Sequence, residues 1–355
     1  MDLNNISIFD KNKKLKNKEV SVICKKMSIL IESGCEITNT LEILSQQSNK
    51  KIRNIFKDVL SQIRNGNSIT ESFQNTNVFS SLFINMLNTG ELSGNLDKVM
   101  NDLADYYEQE QKIKMKVKTI SIYPIILVVL SIATMFFMLI FVIPNFQMVF
   151  DSSGITPPKI TLILIKMSAF VRVNYLFILF GSIIILLSIY YVIKNSNKAK
   201  QFIDILKINI PFIKSIVQLT ITTRFCRALN ILIQSGVHIV EAIEISSKVV
   251  DNEIIHNRLK VSKEYIERGN GISYSIEQAD VFSKSFISML KIGEESGSLD
   301  KTLSTTNKFY NEELNIKVEQ FMRYVEPTVT VIIGIGVGIF IIGMIMPIFD
   351  AVNSI

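Results

Sequence analysis

Charges avoid three windows of this chain. Residues 120–150, 174–193 and 327–349 contain no Asp, Glu, Lys or Arg. A helix rising about 1.5 Å per residue needs roughly 20 apolar residues to cross a bilayer, and each window supplies them. A fourth apolar stretch, residues 160–171, is shorter and carries Lys166 at its middle. It predicts an interfacial or re-entrant segment, not a span. Elsewhere the apolar positions recur at helical spacing, as in Val20, Ile23, Cys24, Met27 and Ile31. No stretch sustains an alternation of period two, so the chain reads as all-α.

The pattern is also written twice. Gly90-Glu91-Leu92-Ser93-Gly94-Asn95-Leu96-Asp97-Lys98 returns 203 residues later as Gly293-Glu294-Glu295-Ser296-Gly297-Ser298-Leu299-Asp300-Lys301. The same offset carries Ser80 onto Ser283, Tyr107 onto Tyr310, Pro124 onto Pro327 and Pro144 onto Pro347. Upstream, the segment ending in Ser33-Gly34 returns as the one ending in Ser235-Gly236, at an offset of 202. A period this long is a duplicated domain and not a short structural repeat. Each copy closes on an apolar window, so the doubled unit is a helical domain with a membrane anchor.

Local signals divide each copy. Gly34 and Gly236 are expected to cap a first helix in the left-handed conformation. Asn39 with Glu42 suggests a second start, and Ser68-Ile69-Thr70-Glu71 is a capping box. Gly90 is expected to close a helix over 79–88, and Ser93-Gly94 to turn the chain into a long helix that leads to the membrane. Pro124 and Pro327 are expected in the first turn of their spans, where a missing N–H costs nothing; Pro144 and Pro347 are expected to end them. The resulting architecture is all-α, two homologous cytoplasmic six-helix bundles with three transmembrane helices. Its expected boundaries are a disordered tail (1–19, without the apolar core of a signal peptide), bundle 1 (20–118), span 1 (120–146), an external loop with the interfacial segment (147–173) and span 2 (174–193). A cytoplasmic linker (194–219), bundle 2 (220–318), span 3 (325–349) and an external tail (350–355) follow. Orientation rests on lysine: Lys112, Lys114, Lys116 and Lys118 precede span 1, and Lys194, Lys198 and Lys200 follow span 2. That bias places both bundles in the cytoplasm.

Composition changes this picture little. These flanking lysines account for most of the net charge of +6, so nucleic acid is not expected as a partner. Three cysteines in 355 residues make no disulfide framework. No P-loop, zinc spacing or nucleophile elbow is present, so no catalytic residue, metal or cofactor is assigned. Glu326, at the edge of span 3, is the nearest candidate for an ionisable group in a span. A place at a helix N-terminus, favoured by the dipole, accounts for it. Gly334 and Gly338, four apart on span 3, offer a face for close helix approach and invite self-association.

The repeated turn admits three readings. Gly90, Ser93, Gly94 and Leu96, with Gly293, Ser296, Gly297 and Leu299, suit a tight connection whose Asp97 or Asp300 sits in the next first turn. Alternatively Glu91, Asp97, Glu294 and Asp300 form two acidic surfaces for a basic partner, or hold a cation.

At these residues the chain resembles the type II secretion system F family, the inner-membrane platform proteins of type II secretion, type IV pili and competence pseudopili. The doubled Gly-Glu-x-Ser-Gly-x-Leu-Asp, the Ser-Gly pairs at Gly34 and Gly236, and Glu326-Pro327 before a glycine-rich span ending at Pro347 carry the resemblance. Copy one has Tyr123 where copy two has Glu326, which departs from strict duplication. The resemblance implies a non-enzymatic platform in the bacterial inner membrane. It also implies a hexameric cytoplasmic secretion ATPase, pilins or pseudopilins and other inner-membrane assembly proteins as partners. On that basis, charge reversal at Glu91 and Glu294 is expected to abolish fibres without lowering protein level. The competing class is the permease subunit of an ATPase-driven transporter, which the lack of ionisable groups inside the spans disfavours.

Overall fold

The structure, a computed structural model, describes residues 14–153, 158–195, 211–250 and 252–353. The described residues contain no strand. Bundle 1 is built from α1 (Asn17–Glu32), α2 (Ile37–Gln46), α3 (Lys50–Arg64), α4 (Ile69–Gln74), α5 (Ser81–Ser93) and the first part of α6 (Leu96–Phe137). A π-helical turn (Met138–Val142), α7 (Ile143–Ser153) and α8 (Lys159–Asn195) follow. Bundle 2 repeats the order with α9 (Pro211–Gln234), α10 (Ile239–Val249), α11 (Glu253–Glu267), α12 (Ile272–Glu277), α13 (Lys284–Glu295) and α14 (Leu299–Asn353). The chain divides into two compact units, Met1–Lys116 with Leu206–Lys317, and Val117–Ile205 with Val318–Ile355.

Within the first unit each bundle closes over aromatic rings. In bundle 1 Phe73 packs against Phe79 and Phe83, with ring centroids 5.1 and 5.5 Å apart. The duplication places Ile276 where Phe73 stands, and Phe225 where Ile23 stands. All four are buried. Phe225 then supplies the ring that meets Phe282 at 4.8 Å and Phe286 at 6.3 Å. One large and one small side chain have exchanged helices, which preserves core volume. A hydroxyl pair is also common to the two copies. Ser80, the N-cap of α5, meets the Tyr107 hydroxyl at 2.6 Å, and Ser283 meets Tyr310 at 2.9 Å. Cys24 and Cys226 are fully buried, and desolvation pushes both thiols up, Cys226 to about 12.

Several element ends differ from the sequence-based expectation. The second helix starts after Glu36, not at Asn39. Gly90 and Gly293 lie inside α5 and α13, and the left-handed residues are Gly94 and Gly297, at φ 72° and 64°. Gly34 and Gly236 do adopt the left-handed conformation, at φ 83° and 87°. Pro124 and Pro327 are not in first turns, because α6 and α14 run unbroken through them. Glu326 is consequently mid-helix and exposed, with no N-terminus to serve. Pro144 and Pro347 do not end helices either; the chain stays helical to Ser153 and Asn353. Helix α9 begins at Pro211, inside the expected linker, whereas residues 196–210, 1–13 and 354–355 lie outside the described residues.

In the second unit the chain is helical directly after Pro158, and α8 continues from Lys159 to Asn195. Its backbone is non-helical at Asn174, which divides it into two helical arms where the expected interfacial segment gives way to the expected second span. The bend falls at Asn174, whose φ and ψ are −112° and 15°. Its side-chain amide donates to the Phe170 carbonyl at 3.0 Å, inserting into the ladder of the preceding turn. Among the described residues, four helices are long and apolar enough to cross a membrane: Leu96–Met148, Lys159–Ile178, Lys214–Gln234 and Leu299–Gly343. The apolar window of Lys214–Gln234 is 61% buried, against 6% for the first and last. That helix therefore spends its apolar surface in the core of bundle 2. The other three leave most of theirs outward, as lipid-facing helices do.

The core exchange predicts a compensated pair. Phe73→Ile alone should lower the thermal midpoint of the purified chain in detergent, with a core loss of about 1–3 kcal/mol. Adding Ile23→Phe should restore part of it, because the second bundle already uses that arrangement; additive losses would show that the two sites do not share a volume.

Candidate functional site

The repeated turn is the feature that the sequence marks most strongly. A six-residue helix, α4, starts at the Ser68 capping box, where Ser68 accepts from the Glu71 N–H at 3.1 Å. Such a box leaves other first-turn N–H groups open. Glu91 closes them from α5. Its carboxylate accepts from the Ile69 N–H at 2.7 Å, the Thr70 N–H at 2.8 Å and the Thr70 hydroxyl at 2.5 Å. Copy two starts α12 after Gly271, which has no side-chain cap, and keeps the same carboxylate. Glu294 accepts from the Ile272 N–H at 2.5 Å, the Ser273 N–H at 2.9 Å and the Ser273 hydroxyl at 2.6 Å. Burial alone would raise the Glu294 carboxyl; the Ser273 and Ile272 donors outweigh it and hold it below its usual 4.5.

The glycines have a different task from the one expected of them. A Cβ on Gly90 would stand 3.1 Å from Val99 and 3.2 Å from Leu96; one on Gly293 would stand 3.0 Å from Thr302 and 3.1 Å from Leu299. Gly90 and Gly293 thus let α5 and α13 lie against the next helix, and Leu96 and Leu299 are what they lie against. Ser93 is the last residue of α5 and Ser296 caps α13, each directly ahead of the left-handed glycine. Asp97 and Asp300 occupy the first turns of α6 and α14, where a carboxylate is favoured by the dipole. Of the four acidic residues, Glu91 and Glu294 are committed to their own bundle, and Asp300 is exposed. Among the described residues no group of three His, Cys, Asp or Glu is placed to hold a metal.

A second cluster, which the sequence did not single out, joins the two bundles. Glu110 of α6 is buried, and its carboxylate accepts from Arg227 Nη1 at 2.8 Å and Arg224 Nε at 3.1 Å, both on α9. Arg227 is 2% exposed; its other terminal nitrogen donates to Asn311 of α14, and its guanidinium lies 5.9 Å from the Tyr106 ring centre. Burial pulls the Arg227 guanidinium down, with Glu110 opposing it. Burial, then the Glu110 charge, push the Tyr106 hydroxyl well above its usual range. The duplication puts Val22 and Lys25 at the positions of Arg224 and Arg227. The arginines thus exist in one copy only. Apolar periodicity carries no sign of such a contact; the missing duplication of two arginines is the one signal the sequence offered.

The sequence pattern of the family described as "Type II secretion system (T2SS), protein F" matches residues 23–144 and 225–347. A type IV pilus assembly protein PilC of Thermus thermophilus is 29% identical over 342 residues, covering 95% of this chain and 84% of its own. PilC of Pseudomonas aeruginosa is 27% identical over 352 residues, with 99% and 94% covered. The type II secretion system protein F of the same organism is 27% identical over 338 residues, with 95% and 83% covered.

Two outcomes follow from the geometry. Glu294→Gln should destabilise the purified chain by roughly 1–2 kcal/mol at pH 7, because an amide nitrogen faces donors. A carboxyl lowered in the folded state stabilises above its ordinary 4.5 and loses that contribution as pH falls through its folded value. The gap between wild type and Glu294→Gln in a thermal melt should therefore close as pH falls below 4.5, and a gap that stays constant throughout the acid range contradicts the capping role. Arg227→Ala should cost more, about 3 kcal/mol, since it leaves the buried Glu110 carboxylate with the half-buried Arg224 alone. Pairing it with Glu110→Gln should recover a large part of that loss in the same melt.

Proposed function

The chain belongs to the type II secretion system protein F family, and from that premise we propose that it is the inner-membrane platform on which a type IV pilus or secretion machine assembles its fibre. The observation that carries this is the coincidence of the matched residues, 23–144 and 225–347, with the two bundle-and-span repeats. The platform works with other components of that machinery. We assign a hexameric cytoplasmic ATPase as its motor and pilins or pseudopilins as its cargo, with both bundles and the N-terminus in the cytoplasm. The lysines flanking the apolar windows support that orientation. Helices α6 and α14 each run unbroken from a bundle into an apolar window, which suits a part that converts motor strokes into movement of spans. Nothing in the geometry favours the permease alternative.

The motor would dock at the repeated turns through Asp97 and Asp300. Leu92, in the last turn of α5, is 81% exposed and adds an apolar contact to the first of them. Glu91 and Glu294 serve the fold of the same surface, so their reversal acts through stability.

Cross-linking a tagged copy in its native membrane, followed by mass spectrometry, tests the assignment: recovery of a hexameric ATPase with prepilins is expected, and a transport ATPase with a solute-binding protein would overturn it. Asp97→Lys combined with Asp300→Lys should abolish fibres at normal protein level. The corresponding reversal at Glu91 and Glu294 should lower the amount of protein itself. Normal fibres in the aspartate double variant would remove docking from these turns.

A further inference from the structure

Pro144 and Pro347, which the duplication copies, both lie within helices of the membrane unit. Proline has no N–H, so each leaves one carbonyl of the preceding turns without its helical partner. In the first repeat the π-helix sets the pairing at i to i−5, with the Ile143 N–H donating to the Met138 carbonyl. The next pair in that register would be Pro144 with the carbonyl of Leu139. In the second repeat the pairing is α-helical, from i to i−4, and Pro347 falls opposite the carbonyl of Gly343.

Side chains of α8 reach both of these carbonyls. The Ser168 hydroxyl donates to the Leu139 carbonyl at 2.5 Å, and the Thr161 hydroxyl donates to the Gly343 carbonyl at 2.5 Å. Both hydroxyl residues are buried, at 3% and 4% exposure. They stand seven residues apart, hence two turns apart on one face of α8. Leu164 and Val171 continue that face into a core shared with Leu139, Ile143 and Phe340. At Gly343 the approach is too close for a side chain, because a Cβ would lie 2.6 Å from Leu164 Cδ1. A Cβ on Gly334 or Gly338, the expected packing pair, would meet nothing within 4 Å beyond its own helix backbone.

We propose that Thr161 and Ser168 are positioning residues that fasten both repeat spans to α8, so that α8 carries a displacement of one span to the other. Apolar contact does not fix helix register in a bilayer, because lipid tails are as apolar as the side chains; a hydroxyl on a proline-freed carbonyl does fix it. The π-turn shifts the open carbonyl of the first repeat from Ile140, the counterpart of Gly343, to Leu139. Ser168 therefore also selects that register. The fastening is a property of this chain alone; its use in fibre assembly rests on the platform reading.

The test restores the missing N–H. In full-length chain reconstituted in phospholipid nanodiscs, Ser168→Ala and Thr161→Val should each lower the melting temperature by about 2 °C. Ser168→Thr and Thr161→Ser should stay near wild type. Pro144→Ala gives the first span a backbone donor, so it should cancel the loss from Ser168→Ala and leave that from Thr161→Val. Pro347→Ala should do the reverse. Losses that are absent, or that add equally in both proline backgrounds, overturn the fastening. Fibre counts at equal protein level test the transmission: a loss in Ser168→Ala that Pro144→Ala rescues is expected. Unchanged counts would overturn transmission through α8 while leaving the platform role standing.

Discussion

A helix leaves backbone polar groups open wherever it begins and wherever it meets a proline, and buried groups of this kind must find partners. In this chain the same openings occur twice and are closed in each copy. The N–H groups at the start of α4 and α12 are taken by Glu91 and Glu294 from a neighbouring helix. The carbonyls freed by Pro144 and Pro347 are taken by Ser168 and Thr161 of α8. In the bundles the closure is internal to each repeat, which lets each repeat fold by the same rule. In the membrane unit it is external, supplied by a long helix that lies between the two copies in the chain.

Duplication also sets where symmetry has to break. Two identical bundles offer no means of telling one face from its copy. Here one contact between them is made by Glu110 of the first with Arg224 and Arg227 of the second, at positions where the first carries Val22 and Lys25. A buried ion pair contributes little net stability but is costly to mispair, so it fixes which surfaces meet. The exchange of Phe73 and Ile23 for Ile276 and Phe225 shows the opposite tolerance: the apolar core accepts a swap that keeps its volume.

The repeated motif illustrates how far residue types can be taken. Its turn, its small residues and its acidic first turn were legible, because each rests on local backbone conformation. Which carboxylate was free was not legible. Glu91 and Thr70 are separated by 21 residues, and only the packing of α5 across the start of α4 brings them together. The prolines misled for a related reason. In isolation each breaks a helix, yet Pro124 and Pro327 lie within continuous helices, and Pro144 follows a π-turn that moves its missing bond to the Leu139 carbonyl, where Ser168 donates.

Sequence by itself determined the all-α class, the duplication, the apolar windows and the family resemblance, since these depend on periodicity, composition and self-similarity along the chain. Tertiary structure decided what each marked residue does. It turned two motif glutamates into caps, placed Gly90 and Gly293 for close approach and paired Glu110 with arginines of the other copy. It also set the hydroxyls of Thr161 and Ser168, on the arm of α8 before the Asn174 kink, against two distant carbonyls. The physical reason is common to all four. Each depends on which group stands opposite which across helices that local pattern does not connect, and periodicity reports which face is buried without reporting what that face meets.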